Sequence, residues 1–203
     1  MDEHDHENER DVALMMQVRE SPPAEGQLAF RQLYERYSRR LGKFFYLACK
    51  DYTLAADLIQ DTFLKLWGAR ERYEATGKFS TFLFQIAKNH WINVREKKLR
   101  RPVQFSLDEQ LSDRHGESYQ VQVESPRPSP DRESISREDE RILGRAIDDL
   151  PEKHRLVFLL SQVEGLKHKD IATILDIPEG TVKSRMFNAI NKLREVLREA
   201  RPR

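Results

Sequence analysis

A proline-rich run near residue 125 constrains the fold of this chain more than any other feature. Within Ser125–Pro130 every second residue is proline. Proline fixes φ and has no backbone N–H, so this run can form neither a helix nor a central strand. Hydrophobic residues are also sparse from about 103 to 137, where acids outnumber bases. We therefore predict a long, flexible, mildly acidic linker over residues 103–137 that joins two domains.

The segments on both sides of this linker carry apolar residues at three- and four-residue steps, which is the pattern of one buried helix face. In an N-terminal domain over residues 11–102, helices are expected at about 53–70 and 80–100, preceded by one that starts near Leu28. A C-terminal domain over residues 138–203 shows the same periodicity, and the sequence contains no strand pattern of any length. The predicted fold class is therefore all-α, with two small helical domains.

The first ten residues are rich in acids and contain no continuous apolar stretch. This composition predicts a disordered acidic tail over residues 1–10 and argues against a signal peptide. No segment has the length and hydrophobicity of a transmembrane helix, so we expect a cytoplasmic protein without membrane insertion. The sequence shows neither a glycine-rich phosphate loop nor a Cys/His cluster, and Cys49 is its only cysteine. We therefore expect no cofactor, no metal site and no enzymatic activity.

The distribution of charge along the chain is more informative than the net charge. The net charge is only +1, yet residues 86–101 contain six bases and residues 183–203 contain seven. Two separated basic clusters favour binding to a polyanion such as DNA. A pair of solvated helix faces explains the same charges equally well, so charge alone leaves both interpretations open.

The segment from Lys169 to Arg185 has the parts of a helix-turn-helix. Ile171 is placed to face inward, the small Ala172 allows two helices to approach closely, and a short turn around Ile177 leads into a second helix. That second helix carries basic and amide side chains, which can contact phosphates and base edges in the major groove. The alternative is a helical hairpin with a charged outer face. The pattern by itself does not distinguish a repressor, an activator and a polymerase specificity subunit.

Both domains together resemble the extracytoplasmic-function (ECF) group of bacterial RNA polymerase sigma factors over nearly the whole chain. The N-terminal match consists of Asp57–Trp67 and Phe79–Asn89, and the C-terminal match consists of Leu150–Arg155 and Gly165–Arg185. The occurrence of these motifs in this order, across a linker, is highly specific. The resemblance implies a sigma factor that binds core polymerase, recognises −35 and −10 promoter elements and helps to melt the −10 region.

The resemblance also implies roles for individual residues. The helix at 57–67 is expected to bind the clamp helices of the polymerase β′ subunit, although a solvated helix face is the alternative. The residues expected to make this contact are Asp57, Gln60, Asp61 and Lys65.

The −10 element is expected to bind at the loop near residues 73–81 and along the helix that follows. In the family, a base of the non-template strand leaves the stack and enters a protein pocket at this loop. Stacking and hydrogen bonds to the extruded base offset the cost of unstacking. The expected −10 residues are Lys78, Phe79, Ser80, Lys88, Asn89, His90, Asn93, Lys97, Arg100 and Arg101.

The second helix of the helix-turn-helix is expected to bind the −35 element. The expected −35 residues are Thr181, Lys183, Ser184, Arg185, Phe187, Asn188 and Lys192. The partners that the resemblance implies are core RNA polymerase, through its β′ clamp helices and β flap, promoter DNA, and an anti-sigma factor. The competing interpretation is a stand-alone transcriptional regulator, whose N-terminal domain senses a signal or dimerises.

Overall fold

The computed structural model describes residues 3–100 and 141–200, and every regular element in these ranges is helical. This finding confirms the predicted all-α fold. The first domain contains α1 (Glu3–Glu20), α2 (Pro23–Cys49), α3 (Tyr52–Ala69) and α4 (Phe79–Arg100). The second contains α5 (residues 141–148), α6 (Glu152–Phe158), α7 (His168–Leu175) and α8 (Glu179–Glu199). The predicted linker at 103–137 and Arg101 lie outside the described residues.

Local sequence signals set the ends of the helices. Pro22 and Pro23 begin α2, where a proline costs no hydrogen bond because the first N–H groups of a helix have no internal partner. Lys50 ends α2 in the left-handed conformation, with φ of 58°. The Asp51 side chain then accepts a hydrogen bond of 3.0 Å from the backbone N–H of Leu54 and so caps α3. The connection between α2 and α3 is therefore short, and the two helices pack side by side.

Aromatic rings fill the core of the first domain. Phe44 and Phe84 are fully buried and meet edge to face, with ring centroids 5.6 Å apart. Tyr37 and Phe79 meet in the same way at 5.3 Å. These contacts fix α4 against α2, because a buried aromatic pair contributes packing as well as burial. No helix in the described ranges is long and apolar enough to cross a membrane.

Helix α1 covers most of residues 1–10, where the sequence predicts a disordered tail. The helix begins at Glu3, so the expectation is wrong for residues 3–10. Met15 is fully buried against the rest of the first domain, and Asp11 accepts a 2.6 Å hydrogen bond from the Tyr37 hydroxyl. Asn8 Oδ1 accepts a hydrogen bond of 3.0 Å from the backbone N–H of Phe79. These long-range contacts stabilise a segment whose own composition favours disorder.

The two domains pack against each other, mainly through α4 of the first domain and α7 of the second. Ion pairs join them, with the base of each pair on the first domain and the acid on the second. These pairs are Arg40–Glu164, Lys50–Asp148, Lys78–Asp170 and Arg95–Glu152. We call the surface that contains these four pairs the interdomain seam. There, part of the basic surface of the first domain contacts the second domain.

A π-helical turn at Leu159–Val163 positions Glu164, which is the most buried acid of the interdomain seam. The backbone N–H of Glu164 donates to the carbonyl of Leu159, which widens the last turn of the helix. Glu164 Oε2 then accepts a hydrogen bond of 2.9 Å from Arg40 Nε, and its side chain is only 1% exposed. Burial raises the pKa of the Glu164 carboxyl above its usual range, and the nearby Arg40 partly opposes this effect.

Candidate nucleic-acid interface

Helix α8 presents a continuous outward surface. Its inward line packs against α6 and α7 and consists of the buried residues Val182, Met186, Ala189 and Leu193. On the opposite side, the part nearer the start of the helix, which we call the outward line of α8, consists of Ser184, Phe187, Asn188 and Asn191, all of which are exposed. Phe187 is 65% exposed, so its ring is available for contact with a partner.

The remaining predicted −35 residues lie beside this line. Lys183 pairs with Glu179 at 2.8 Å, and Lys192 Nζ donates to the backbone carbonyl of Asp149 at 3.2 Å. Arg185 and Thr181 are half-buried. Burial, followed by the charges of Lys153, Arg185 and Lys192, lowers the pKa of His154 on α6, which places the charges of Arg185 and Lys192 on the α6 side of α8. The structure therefore brings all seven predicted −35 residues to one end of the second domain, with cations on the flanks.

Most of the predicted −10 residues, which lie on α4 or directly before it, fall into three groups. The first group forms a solvent-facing stripe at three- and four-residue steps, which we call the α4 stripe. Its members are Asn89, Asn93, Lys97 and Arg100. The amides at the start of this stripe and the cations at its end are all exposed, so they can bind nucleic acid without any rearrangement of the first domain.

The second group is buried inside the first domain, where it cannot touch DNA. Phe79 is fully buried in the aromatic core. His90 is 8% exposed, and its Nε2 atom lies 3.1 Å from Oδ2 of Asp61 on α3. Burial, the main cause, and the nearby Lys65 lower the pKa of His90, although the Asp61 carboxylate opposes both. The direct DNA contacts predicted for Phe79 and His90 are therefore wrong for this conformation, because both side chains serve to pack α4.

The third group faces the second domain. Lys78 Nζ donates to Asp170 Oδ2 on α7 at 2.8 Å. Lys88 is 8% exposed, and burial lowers its pKa while the charge of Asp176 opposes the change. Ser80, the remaining predicted −10 residue in the described part of the chain, belongs to none of the three groups and is half-buried at the start of α4. Lys78 and Lys88 thus lie at the interdomain seam in this conformation, where Lys78 is paired with a carboxylate and Lys88 is buried.

The predicted polymerase-binding residues share one exposed face of α3. Asp57, Gln60, Asp61 and Lys65 are all exposed. Leu64 lies among them and is 69% exposed, although sequence analysis did not select it. The signal was present in the sequence, since Leu64 follows the polar positions 60 and 61 by one helical turn. Leu64 adds an exposed apolar side chain to this otherwise polar surface, and we call these five residues the α3 face.

Comparison with known protein families assigns each of the two domains to a family. Residues 33–101 match the family model described as "Sigma-70 region 2". Residues 140–193 match the model described as "Sigma-70, region 4". The α3 face and the α4 stripe thus lie within the first match, and the outward line of α8 lies within the second.

Curated relatives extend this match over most of the chain. The ECF RNA polymerase sigma-E factor of Haemophilus influenzae is 33% identical over 164 residues, which cover 79% of this chain and 83% of the relative. The protein of the same name in Escherichia coli K12 is 30% identical over 165 residues, which cover 80% and 83%.

Solved structures agree on the fold. CnrH, in complex with the cytosolic domain of CnrY, superposes with a TM-score of 0.64 at 21% identity, and the match covers 93% of this chain and 97% of CnrH. The sigma factor RpoE of Bartonella quintana, in complex with the anti-sigma factor NepR, superposes with a TM-score of 0.63 at 24% identity, covering 85% and 98%. At these identities the likeness concerns the fold alone.

A region 2 domain and a region 4 domain in one chain define an RNA polymerase sigma factor, the non-catalytic subunit that recognises promoters for transcription initiation. The relatives narrow the class further. The chain belongs to the ECF family of RNA polymerase sigma factors.

Proposed function

We propose that three separate surfaces of this chain divide the work of promoter recognition. The α3 face binds the β′ clamp helices of core polymerase, the α4 stripe binds the −10 strand, and α8 binds the −35 element. The observation that carries this proposal is the exposure of all three surfaces in one conformation, on the domains that match regions 2 and 4. Buried apolar lines on the opposite sides of the same helices hold each surface in place.

Each surface has the chemistry that its role requires. The α3 face offers carboxylates, an amide and Leu64, so it suits a partner with basic groups and a small apolar pocket. The α4 stripe offers amides for bases and cations for phosphates. The outward line of α8 offers side chains that can enter a major groove, and the flanking cations can bind the phosphates on either side. The second domain also supplies the surface expected to meet the β flap.

The interdomain seam adds a conformational step to this proposal. Lys78 borders the loop at which the extruded −10 base is expected to enter, and it pairs with Asp170 of the second domain. Separation of α7 from α4 releases Lys78 from Asp170 and frees its ammonium group for DNA at this loop. Binding of the α3 face needs no such separation, because this face is exposed while the seam is closed.

We also propose an anti-sigma factor as a partner and the cytoplasm as the location. The solved relatives RpoE and CnrH are described in complexes, the first with an anti-sigma factor and the second with a cytosolic domain of its partner. An inhibitor of this chain acts most simply by covering the α3 face or by holding the interdomain seam closed.

Run-off transcription from genomic promoter fragments tests the proposed function. Core polymerase of the source bacterium is expected to start transcripts at defined positions only when the full-length chain is added. The competing function, a stand-alone regulator, predicts tight binding of the isolated chain to a palindromic operator and no chain-dependent start sites. Co-purification from native cells, which retains polymerase and inhibitor together, provides an independent test of both proposed partners.

A further inference from the structure

The outward line of α8 has an unusual chemistry for a DNA-binding helix. Its four members, Ser184, Phe187, Asn188 and Asn191, include no charged residue. In this part of the helix the cations lie to the sides, where Lys183 pairs with Glu179 and Lys192 contacts the backbone of Asp149. A helix in the major groove meets bases with its outermost line and phosphates with its flanks. Neutral side chains therefore face the base edges.

Three members of this line are poor candidates for recognising a particular base. The Ser184 hydroxyl already donates to the backbone carbonyl of Thr181 at 3.0 Å, so only its acceptor capacity remains. Phe187 has no hydrogen-bonding group. Asn191 lies a turn farther from the N-terminal end of α8, which is the end that enters the groove in helix-turn-helix proteins. Asn188 is exposed, and its amide forms no hydrogen bond with any of the described residues.

A free asparagine amide matches one base edge better than the others. The amide carries a donor and an acceptor side by side. In the major groove, adenine offers the complementary pair, the N7 acceptor and the N6 donor. Guanine offers two acceptors, N7 and O6, so the amide oxygen of asparagine would face another oxygen. We infer that Asn188 recognises one adenine of the −35 element, with its Nδ2–H donating to N7 and its Oδ1 accepting from the N6 amino group.

This inference deepens the proposed role of α8 and rests on it. The test uses holoenzyme assembled from core polymerase and the full-length chain, transcribing a promoter library that is randomised only over the −35 element. Sequencing of the transcribed templates gives the preferred base at each position. Wild type is expected to select adenine at one position. Asn188→Ala is expected to lose that preference by roughly 5- to 150-fold, the range typical of a bidentate base contact, and to keep the preferences at the other positions.

Two variants of the same helix serve as controls. Asn191→Ala removes the same amide from the same outward line and is expected to keep the adenine preference. Arg185→Ala removes a cation from the flank and is expected to weaken transcription of all −35 sequences to a similar extent. Asn188 and Asn191 are both exposed, so unfolding temperatures equal to that of wild type are expected and verify that neither change disturbs the fold.

A modified base isolates the proposed hydrogen bond. Replacing the selected adenine by 7-deazaadenine removes only N7, and it should weaken wild type strongly while affecting Asn188→Ala little. Retention of the adenine preference in Asn188→Ala, or its loss in Asn191→Ala, would overturn the assignment of Asn188. If wild-type holoenzyme transcribes specifically but selects no adenine, the inference fails while the sigma-factor function stands. If no library member is transcribed above background, the proposed −35 role of α8 fails as well.

Discussion

The buried imidazole of His90 has a measurable consequence for stability. Burial lowers the pKa of His90, so the folded protein takes up a proton at lower pH than the unfolded chain does. Stability is therefore expected to fall as pH decreases through about 6.5, the ordinary histidine pKa, because the unfolded state then binds more protons. His90→Gln should remove this part of the pH dependence. The measurement is the difference in unfolding temperature between variant and wild type from pH 7.5 to 5.5.

The partner residue supplies the control for this prediction. Asp61→Asn removes the carboxylate that opposes the lowering of the His90 pKa. The variant should therefore lose stability more steeply than wild type on acidification. Each variant is compared with wild type at the same pH, because other groups also change the stability. Burial raises the pKa of Asp11 and Glu164, and those groups stabilise the folded state as pH falls. Parallel curves for wild type and His90→Gln would show that folding does not change the pKa of His90.

Single residues also show where sequence reasoning reached its limit. The resemblance identified the helix that contains Lys88 and His90, but residues on one helix point in all directions. The exposed members, such as Asn89 and Asn93, differ from the buried ones only by their position relative to α3 and α7. That position depends on contacts between residues far apart in the chain, which local periodicity does not encode. Leu64 shows the opposite case, since its place among polar residues was visible in the sequence.

At the scale of elements, the α3 face provides a sharp test of polymerase binding. Leu64→Asp combined with Asp57→Lys removes the exposed apolar side chain and reverses one charge. Both side chains are exposed, so the fold should be retained. The expected result is at least a tenfold weaker affinity for core polymerase, measured by competition in holoenzyme assembly, because an apolar anchor and a charged contact are lost together.

The matched control for the α3 face lies on the neighbouring helix. Glu25→Lys combined with Leu28→Asp makes the same chemical changes at exposed positions of α2. We expect this variant to compete for core polymerase as well as wild type does. Equal losses in both variants would indicate a general charge effect and would remove the α3 face from the proposed interface.

The sequence predicted the positions of the helices better than it predicted which residues pack against them. Predicted ranges at 53–70 and 80–100 lie within one residue of α3 and α4. Apolar spacing and capping residues act within one or two turns, so they are readable locally. Helix α1 was missed over residues 3–10 because its stability depends on α2 and on the start of α4, which it contacts through Asn8 and Asp11.

At the scale of the whole molecule, Glu164 is the residue whose replacement should open the interdomain seam. Glu164→Arg places a guanidinium group against Arg40 in a site where the native side chain is 1% exposed. Because Arg40 itself is partly exposed and screened, we expect a cost of about 1–3 kcal/mol, enough to shift the population roughly 5- to 150-fold toward the open form. Small-angle X-ray scattering of the full-length chain should show a larger radius of gyration.

The double exchange Arg40→Glu with Glu164→Arg restores the opposite charges and should restore the compact form. Glu164→Gln retains an oxygen that can accept the hydrogen bond from Arg40, so this variant should remain compact. Circular dichroism should give the same helical content for all of these variants. A Glu164→Arg variant that is as compact as wild type would show that α4 and α7 pack together without help from this ion pair.

The one-sided charge of the interdomain seam has a thermodynamic consequence for DNA binding. Carboxylates of the second domain hold Lys78 and Arg95 of the first, so phosphates compete with them for the same cations. Added salt weakens the binding of phosphates, but it also weakens the seam and so increases the fraction of chains that are competent to bind. The two effects oppose each other. The affinity of wild type for DNA should therefore fall less steeply with salt concentration than the affinity of Glu164→Arg. In that variant the seam is already open, so none of the free energy of DNA binding is needed to open it.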